Sequence, residues 1–355
     1  MSKLLSIIIP TYNMERYLEK CLSSLIICDS SLLQQLEVLV IIDGATDRSS
    51  EIAHCYQDQY PDVFITIDKE NGNYGSCINT GLQIATGKYV KVLDADDSFD
   101  TNNFEDYIRF LSDLDVDMII SPYVIVDENG GQKSREIYDL PVSTILTWHQ
   151  LTPAFKKKSL QMHAVTYKMQ NIKDIGYRQT EGISYTDQEW IFTPLVAVNT
   201  AIAYHKPVYK YLIGRAGQTI NSEVFKRSLS HNELCCRRIV KDYKSFDSFE
   251  SAKQEFIDYK FQKTISSMYR WILLCYPDSD MSQLVAFDDF IREIDSSYID
   301  VLDEQKIKHT QYKYIKHWHS NGRKRSSIDR LCFLYSLGVD KIQAGLRRIN
   351  KRGEV

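Results

Sequence analysis

The sequence predicts an α/β fold with a mostly parallel sheet, followed by a helical C-terminal region. In the first 130 residues, short apolar runs of strand length alternate with segments of helical spacing, as in βαβ units. The apolar runs are nearly continuous, which is typical of strands buried on both faces. From about Val224 glycine is sparse and apolar residues recur every three or four positions, which predicts helices. A chain of 355 residues has room for about two domains, and we expect these at residues 1–222 and 223–355.

The order of the predicted elements supports this organisation. Strands are predicted at 4–9, 36–42, 63–67, 88–93, 118–126 and around Pro207 within 201–212, and helices at 15–27, 49–60, 78–85, 104–114 and from about 186. Asn71–Gly75 is predicted to be a glycine-rich loop. No GxGxxG follows the first strand, so the dinucleotide-binding fingerprint is absent.

Composition and cysteine usage indicate a globular protein of a reducing compartment. Hydrophobic residues make up 43% of the chain, which is enough for a sizeable core. The eight cysteines have no metal-ligand spacing, so we expect free thiols. The first strand follows Met1-Ser2-Lys3 directly, without the apolar region of a signal peptide, and no apolar run is long enough to span a membrane. These features predict a cytoplasmic protein.

Charge is distributed unevenly along the chain. Residues 306–355 contain 13 Lys and Arg but three Asp and Glu, so this segment carries +10 and residues 1–305 carry −14. A helical face among basic residues predicts peripheral binding to an anionic membrane surface, and its apolar residues are Ile328, Leu331, Tyr335, Ile342, Leu346 and Ile349. The alternative is an internal packing helix or a homo-oligomer interface. No nucleic-acid recognition motif is present, so we expect no nucleic-acid partner.

The segment Lys88–Asp97 contains the strongest functional signal. A strand-like apolar run ends in Asp94, Asp96 and Asp97. Carboxylates this close repel each other, and a divalent cation offsets that repulsion, with Mg²⁺ or Mn²⁺ favoured by hard oxygen ligands. Ligands of open α/β sheets bind at the carboxyl ends of the strands, where this cluster is predicted to lie. The alternative is an acidic turn that caps the next helix.

Four sequence blocks occur in a fixed order in the first part of the chain. They are Ser6–Asn13, Asp43–Asp47, Asn79-x-Gly81 and Gly87–Asp97. Together, over roughly residues 3–220, they resemble family 2 glycosyltransferases of the GT-A fold. The resemblance is greatest to bacterial enzymes that build capsule, exopolysaccharide or teichoic-acid-type polymers. It implies transfer of a sugar from a UDP-sugar to a glycan or a lipid-linked acceptor.

The resemblance also implies roles for individual residues. Tyr12 offers a stacking face to the nucleotide base, and Asp43 hydrogen-bonds the uracil or the ribose. Asp94 approaches the ribose, Asp96 ligates the Mn²⁺ or Mg²⁺ that bridges the diphosphate, and Asp187 is the general base. The nucleotide-sugar site expected on this basis comprises Pro10, Thr11, Tyr12, Asn13, Asp43, Asn71, Asp94, Ala95, Arg215, Gln218 and Thr219.

Three polar residues of a predicted loop are candidates for a lid over the diphosphate. Arg215, Gln218 and Thr219 follow Gly214, and the planar fork of an arginine binds two phosphate oxygens at once. The alternative is a solvated turn. His163 is a weaker candidate for an acceptor or phosphate contact, because a lone histidine is more often structural.

Two positions depart from the family pattern. Ile42 replaces the first of two acids before the glycine of the Asp43 block, and Ile78 replaces an arginine that often precedes the asparagine of the Asn-x-Gly block. Lys91 or Arg215 could supply the missing positive charge.

A single base opposite the leaving group implies one displacement and therefore inversion at the anomeric carbon. For the base itself, Glu181 and Glu189 are rivals of Asp187. Two other functions remain open at this point. A metal-dependent nucleotidyltransferase also uses paired acids, and a non-catalytic nucleotide-sugar-binding partner of another transferase would fit the two departures.

Overall fold

The chain divides into two compact units in the computed structural model. They are Met1–Cys235 with Asp247–Ile257, and Cys236–Phe246 with Asp258–Val355. The described residues are 3–215, 218, 222–276 and 278–352, with Ser222 and residues 344–352 described by their backbone alone. The first unit contains the described strands and the second is helical, which confirms an α/β domain followed by a helical region. The boundary expected after residue 222 stays a prediction.

The described residues form twelve strands in two sheets. In chain order they are β1 (Leu5–Thr11), β2 (Leu36–Asp43), β3 (Phe64–Lys69), β4 (Tyr89–Val92), β5 (Ser98–Phe99), β6 (Met118–Ile120), β7 (Tyr123–Val126), β8 (Gln132–Glu136), β9 (Ile145–Leu146), β10 (Val165–Lys168), β11 (Ala201–Ala203) and β12 (Tyr209–Leu212). The larger sheet has the order β3-β2-β1-β4-β10-β6-β11-β9, and the smaller has the order β5-β12-β7-β8. Strands β3, β2, β1 and β4 are parallel, whereas β10 and β9 are antiparallel to their neighbours. The mostly parallel sheet is therefore confirmed.

Helices connect these strands and make up the second unit. In chain order they are α1 (Leu18–Ser23), α2 (Ser30–Leu33), α3 (Ser49–Gln59), α4 (Asn73–Ile84), α5 (Thr101–Ser112), α6 (Trp148–Lys157), α7 (Met169–Asp174), α8 (Asp187–Trp190), α9 (Ser222–Arg227), α10 (Leu229–Ser245), α11 (Ser251–Arg270), α12 (Met281–Asp295), α13 (Ser297–Asp303), α14 (Tyr314–Ser320) and α15 (Ser327–Arg352). Short 3-10 segments occupy Met162–Ala164 and Thr193–Ala197, and a π-helical turn occupies Trp271–Cys275.

Strand β1 lies in the interior of the larger sheet and is buried along most of its length. Ile7, Ile8 and Ile9 have no exposed surface. Helix α4 packs on β1 at Gly81, where an added Cβ would lie 2.6 Å from Cγ2 of Ile8. The glycine of the Asn-x-Gly block is therefore required for close packing of this helix on the sheet.

Two elements differ from the sequence prediction. Helix α4 begins at Asn73, five residues earlier than expected, so the last three residues of the predicted glycine-rich loop form its first turn. The strand expected over 118–126 is divided between the two sheets as β6 and β7. Pro122 lies at the division, and because proline has no backbone N–H it cannot donate to a sheet ladder.

The second unit contains a buried carboxylate with several donors. Asp288 has no exposed surface and accepts hydrogen bonds from Tyr269 Oη (2.7 Å), His319 Nε2 (2.8 Å) and Arg292 Nε (2.9 Å). Arg323 Nη2 lies 2.8 Å from the same carboxylate. Because a buried charge is costly without partners, this cluster fixes the packing of α12 against the chain around α14.

Helix α15 has an exposed apolar face. The large apolar side chains that are at least 40% exposed on it are Ile328, Leu331, Leu334, Tyr335, Leu337 and Ile342. This confirms an amphipathic helix at the position expected from the sequence. Among the described residues, none of the helices has both the length and the apolar composition needed to cross a bilayer.

Candidate active site

A cleft of about 410 Å³ lies at the carboxyl ends of β1, β2 and β4. These three strands are parallel neighbours, so their ends meet at one edge of the sheet. Ten of the residues expected in the site border it: Pro10, Thr11, Tyr12, Asp43, Asn71, Asp94, Ala95, Asp96, Arg215 and Gln218. The others that border it are Met14, Asn73, Tyr74, Cys77 and Tyr211. The structure therefore brings together residues from five separate parts of the sequence.

Asp43 ends β2 at one side of the cleft. Its Oδ1 accepts hydrogen bonds from Lys69 Nζ (2.8 Å), the Gly72 N–H (2.9 Å) and Ser76 Oγ (3.4 Å). Asn71 Nδ2 donates to the Asp43 carbonyl at 2.8 Å. These bonds fix Asp43 in the cleft wall. The three bonds to its carboxylate all reach Oδ1.

Asp94 follows β4 and is held by two tyrosines. Tyr74 Oη donates to Asp94 Oδ1 at 2.9 Å, and the Asp94 N–H donates to Tyr209 Oη at 3.1 Å. Burial raises the pKa of the Asp94 carboxyl, and the negative charge of Asp96 raises it further. The cleft therefore opposes negative charge at this position unless a cation is near.

Asp96 forms an ion pair with Arg215 Nε, and both side chains are largely buried. The guanidinium also lies 5.7 Å from the centre of the Tyr17 ring. In the same loop, Gln218 Nε2 donates to the Leu212 carbonyl (2.6 Å) and its Oε1 accepts from the Gly214 N–H (2.9 Å). Two residues proposed for the lid thus border the cleft, whereas Thr219 lies outside the described residues.

Asp97 has a different role from its neighbours, because both of its oxygens are used internally. Tyr209 Oη donates to Oδ2 at 2.6 Å and the Leu212 N–H donates to Oδ1 at 2.7 Å. Burial raises the pKa of Asp97, with Asp96 and Asp94 adding to the effect. Asp97 therefore links the acidic turn to β12 of the smaller sheet.

The carboxylates of this turn fit a divalent cation by their chemistry. Asp94 and Asp96 border the cleft and offer the hard oxygen ligands that Mg²⁺ and Mn²⁺ prefer. Asp94, Asp97 and His163 also have ligand atoms within 4.8 Å of one another. Since both Asp97 oxygens already accept hydrogen bonds, Asp94 and Asp96 are the better candidates for holding a metal.

His163 and Lys91 lie beneath the cleft and do not border it. Lys91 is fully buried, and its Nζ donates to the carbonyls of His163 (2.9 Å) and Val165 (3.0 Å). Burial lowers the pKa of Lys91 to about 7 and that of His163 to about 3, with Lys91 adding to the His163 shift. Arg215, and not Lys91, is therefore the candidate for neutralising a phosphate.

Asp187 begins α8 and does not border the cleft, but its charge acts on residues that do. It contributes to raising the pKa of Tyr74 and of Asp94, after burial and nearer groups. Tyr185, two residues before it, has a left-handed φ of +66°, a conformation that costs a non-glycine residue about 1–3 kcal/mol. Backbone strain of this kind is often found at functional sites.

The segment that leads to Asp187 is anchored by the Asn-x-Gly block. Asn79 Oδ1 accepts from the Gln179 N–H and Asn79 Nδ2 donates to the Gln179 carbonyl, both at 2.8 Å. Gln179 Nε2 donates to Thr186 Oγ1 at 2.8 Å, and the Thr180 N–H donates to Glu189 Oε2 at 2.8 Å. Glu189, a rival for the base, is buried in this network, and Glu181 accepts from Asn79 Nδ2 at 2.7 Å.

Asn13 lies next to the cleft without bordering it. Its backbone is left-handed (φ +52°), which asparagine tolerates, and its Oδ1 accepts from the Thr46 N–H at 2.8 Å. Asn13 thus joins the first block to the Asp43 block. Its contact with a nucleotide stays a prediction.

The two departures from the family pattern are buried apolar residues. Ile42 is 2% exposed and Ile78 is fully buried. Lys69, which sequence reasoning missed, carries a positive charge to Asp43 from the end of β3. Tyr74 and Tyr211, which border the cleft, were also missed as site residues.

The fold and the cleft define a Rossmann-like α/β domain with an acidic ligand site at the ends of its parallel strands. Residues 6–175 match the model of glycosyl transferase family 2. These residues therefore carry a family 2 glycosyltransferase domain, the family that the four blocks resemble.

Curated relatives support the same class. Over 131 residues, this chain is 30% identical to the glycosyltransferase GlyG of Streptococcus pneumoniae. The aligned region covers 37% of this chain and 42% of GlyG. The chain is also 30% identical over 129 residues to the minor teichoic acid biosynthesis protein GgaB of Bacillus subtilis, covering 36% of this chain and 14% of GgaB. The chain thus spans less than half the length of these relatives.

Solved structures show a similar fold over most of the chain. Residues 1–349 of TarS from S. aureus, solved with UDP-GlcNAc, superpose with a TM-score of 0.65 at 18% identity, covering 91% of this chain and 93% of that one. The same TarS fragment solved with UDP gives a TM-score of 0.60 at 17% identity. At this identity the likeness establishes the fold.

Proposed function

We propose that this protein is an inverting glycosyltransferase that moves a sugar from a UDP-sugar to a hydroxyl of a glycan or lipid-linked acceptor in bacterial surface polysaccharide synthesis. The observation that carries the proposal is the single cleft in which Tyr12, Asp43, Asp94 and Asp96 meet, at the ends of three neighbouring parallel strands. The teichoic acid role in the name of GgaB and the UDP-GlcNAc bound to TarS support the same donor and polymer class.

The nucleotide contacts follow from the side of the cleft formed by β1 and β2. Tyr12 is 50% exposed at the cleft, so its ring is available to stack on a base. Asp43 Oδ2, which Lys69, Gly72 and Ser76 do not reach, can accept from the uracil imide or a ribose hydroxyl. Lys69 pairs with this carboxylate and adds positive charge beside an anionic ligand.

The diphosphate belongs at the end of β4. Asp96 would hold a Mn²⁺ or Mg²⁺ ion, with Asp94 beside it, and such an ion stabilises the negative charge that develops on the leaving diphosphate. Arg215, now paired with Asp96, can instead bind two phosphate oxygens through its planar fork. The guanidinium would then offset part of the negative charge of the leaving diphosphate.

Asp187 is the proposed general base. Its charge reaches Asp94 and Tyr74, so it lies near enough to the reacting centre to act electrostatically. A carboxylate that takes the acceptor proton is worth about 10²–10⁴-fold in rate. With one base and no covalent intermediate, the anomeric carbon inverts.

We also propose that α15 brings the protein to the inner face of the cell membrane. Leu331 and Ile342 are 64% and 65% exposed on its apolar face, and the segment from residue 306 onward carries +10. A basic amphipathic helix of this kind lies in an anionic membrane surface. The alternative is that the apolar faces of α15 from two copies of the chain pack against each other.

The test is UDP release by the purified protein from a panel of UDP-sugars with Mn²⁺, Mg²⁺ or EDTA. We expect metal-dependent turnover of one donor, lost in Asp96→Ala. Failure of the protein to bind UDP would refute the proposal.

The second candidate function is that of a non-catalytic protein that binds a nucleotide-sugar and supports another transferase. Ile42 and Ile78 favour it, because they are buried apolar residues at two positions where the family often has a charged residue. Asp187→Asn separates the two functions. Loss of glycan synthesis with UDP binding intact supports the enzyme, and unchanged synthesis supports the binding partner. A nucleotidyltransferase would instead release pyrophosphate.

A further inference from the structure

Tyr211 of β12 borders the cleft, and one side of its ring is covered by His163. The two rings are stacked, with centroids 4.3 Å apart and planes at 26°. Tyr211 was not among the residues expected in the site. Its ring is a flat apolar surface in the same cleft as the carboxylates of Asp94 and Asp96.

His163 is itself held firmly in place. It is 8% exposed and lies 4.7 Å from the Tyr209 ring and 5.2 Å from the Tyr123 ring, between centroids. The Lys91 ammonium holds its backbone carbonyl at 2.9 Å. Burial, and after it the charge of Lys91, lowers the pKa of the imidazole. Tyr211 therefore rests on a buried ring that is itself packed against two further aromatic rings.

The sheet order places Tyr211 at a defined end of the cleft. Asp43 follows β2, Tyr12 follows β1 and the acidic turn follows β4, in the spatial order β2-β1-β4. The residue after Tyr211 donates its N–H to Asp97 in that turn at 2.7 Å. Tyr211 thus lies beside the acidic turn, at the end of the cleft proposed for the diphosphate.

Electrostatics agree with this position. Burial raises the pKa of the Tyr211 hydroxyl, and the charges of Asp97, Asp94, Asp96 and Asp187 raise it further. Tyr211 therefore lies within electrostatic reach both of the proposed metal ligand and of the proposed base. A sugar in transfer must occupy this region, because its anomeric carbon is bonded to the diphosphate and is attacked by the hydroxyl that the base deprotonates.

We propose that Tyr211, backed by His163, is the platform on which the sugar ring of the donor packs, and that it is a specificity-determining residue. The proposal rests on the proposed function. The C–H groups of one face of a pyranose carry partial positive charge and are attracted to the electron-rich surface of an aromatic ring. Sugars that present an axial hydroxyl to this surface would bind less well than those that present C–H groups.

The test compares binding of UDP with binding of the UDP-sugar that the wild type turns over, both with Mn²⁺, by titration calorimetry. In Tyr211→Leu we expect the Kd of the UDP-sugar to rise about tenfold while the Kd of UDP changes less than about twofold. Tyr211→Phe keeps the ring and should bind both ligands as the wild type does. Tyr12→Leu is the matched control, since loss of base stacking should weaken UDP and the UDP-sugar equally.

Three results would overturn the platform. Equal weakening of UDP and UDP-sugar in Tyr211→Leu would assign the residue to the nucleotide or to folding, and unchanged binding of both would remove it from the site. A raised KM for the acceptor with unchanged donor Kd would assign it to the acceptor. Failure of the proposed function is distinguishable, because the wild type itself would then bind no UDP.

Discussion

Replacing Asp288 by alanine should destabilise the helical unit by about 3–5 kcal/mol. The carboxylate has no exposed surface, and Arg292, Arg323 and His319 surround it within 2.9 Å. Tyr269 Oη adds a fourth contact at 2.7 Å. Removing one partner of a buried charge cluster leaves the remaining charges without compensation, which is why the cost exceeds that of a surface pair.

The pKa of Asp288 shows how much of the stability contributed by this cluster depends on pH. Burial raises the pKa, but hydrogen bonds from His319, Tyr269 and Arg292 outweigh burial and hold it at about 2. Because the pKa is lower in the folded state than in the unfolded state, the stabilisation is complete above about pH 4 and is lost as the pH falls towards 2. The difference in pKa corresponds to about 2 kcal/mol of pH-dependent stability.

Urea denaturation followed by far-UV circular dichroism at neutral pH would measure these effects. Asp289→Ala is the matched control, because Asp289 also pairs with Arg323 but its side chain is 51% exposed, so its loss should cost less than about 1 kcal/mol. Asp288→Asn keeps the shape of the side chain while removing its charge. The same measurement on this variant tests the prediction if the alanine variant fails to fold. Equal destabilisation by the two alanine variants would refute the reasoning.

Three further predictions concern function. Tyr74→Phe removes the hydrogen bond to Asp94 and should lower kcat/KM about 10–100-fold in steady-state assays with little change in melting temperature, since a hydrogen bond to a charged group is worth about 1.5–3 kcal/mol. Lys69→Met removes the cation beside Asp43 and should raise the Kd of UDP about tenfold by calorimetry; an unchanged Kd would exclude Lys69 from the site. Leu331→Glu should reduce co-flotation with anionic vesicles without changing the circular dichroism spectrum, whereas undiminished flotation would contradict membrane docking by α15.

The sequence was sufficient to predict the sheet and most of the cleft, because the relevant signals are local. Thr11, Asp43 and Asp94 each lie at the end of an apolar run, and a run of that kind marks the carboxyl end of a parallel strand. Once the strands are known to be parallel neighbours, their ends must meet. The cleft residues that follow from this rule are those at the ends of β1, β2 and β4: Pro10, Thr11, Tyr12, Asp43, Asp94, Ala95 and Asp96.

Residues that reach the site from distant strands could not be predicted in the same way. Tyr211 comes to the cleft because β12 pairs with β5 and β7 in a second sheet, a long-range arrangement that leaves no local pattern. The division of 118–126 into β6 and β7 was also missed, although Pro122 is a local signal against one continuous strand. Lys69 lies at the end of an ordinary amphipathic strand, where a lysine is usually solvated.

The partners of the three aspartates after β4 suggest how the site keeps its charge in balance. Asp94 is held by Tyr74 of α4, and Asp97 by Tyr209 and the backbone of β12, so these partners are fixed in regular elements. Asp96 is instead paired with Arg215, a loop residue beyond β12. A long side chain on a loop can exchange partners at less cost than a group fixed in a helix or strand. We infer that Asp96 is the carboxylate released when a nucleotide diphosphate enters, because the phosphates offer Arg215 an equivalent anionic partner.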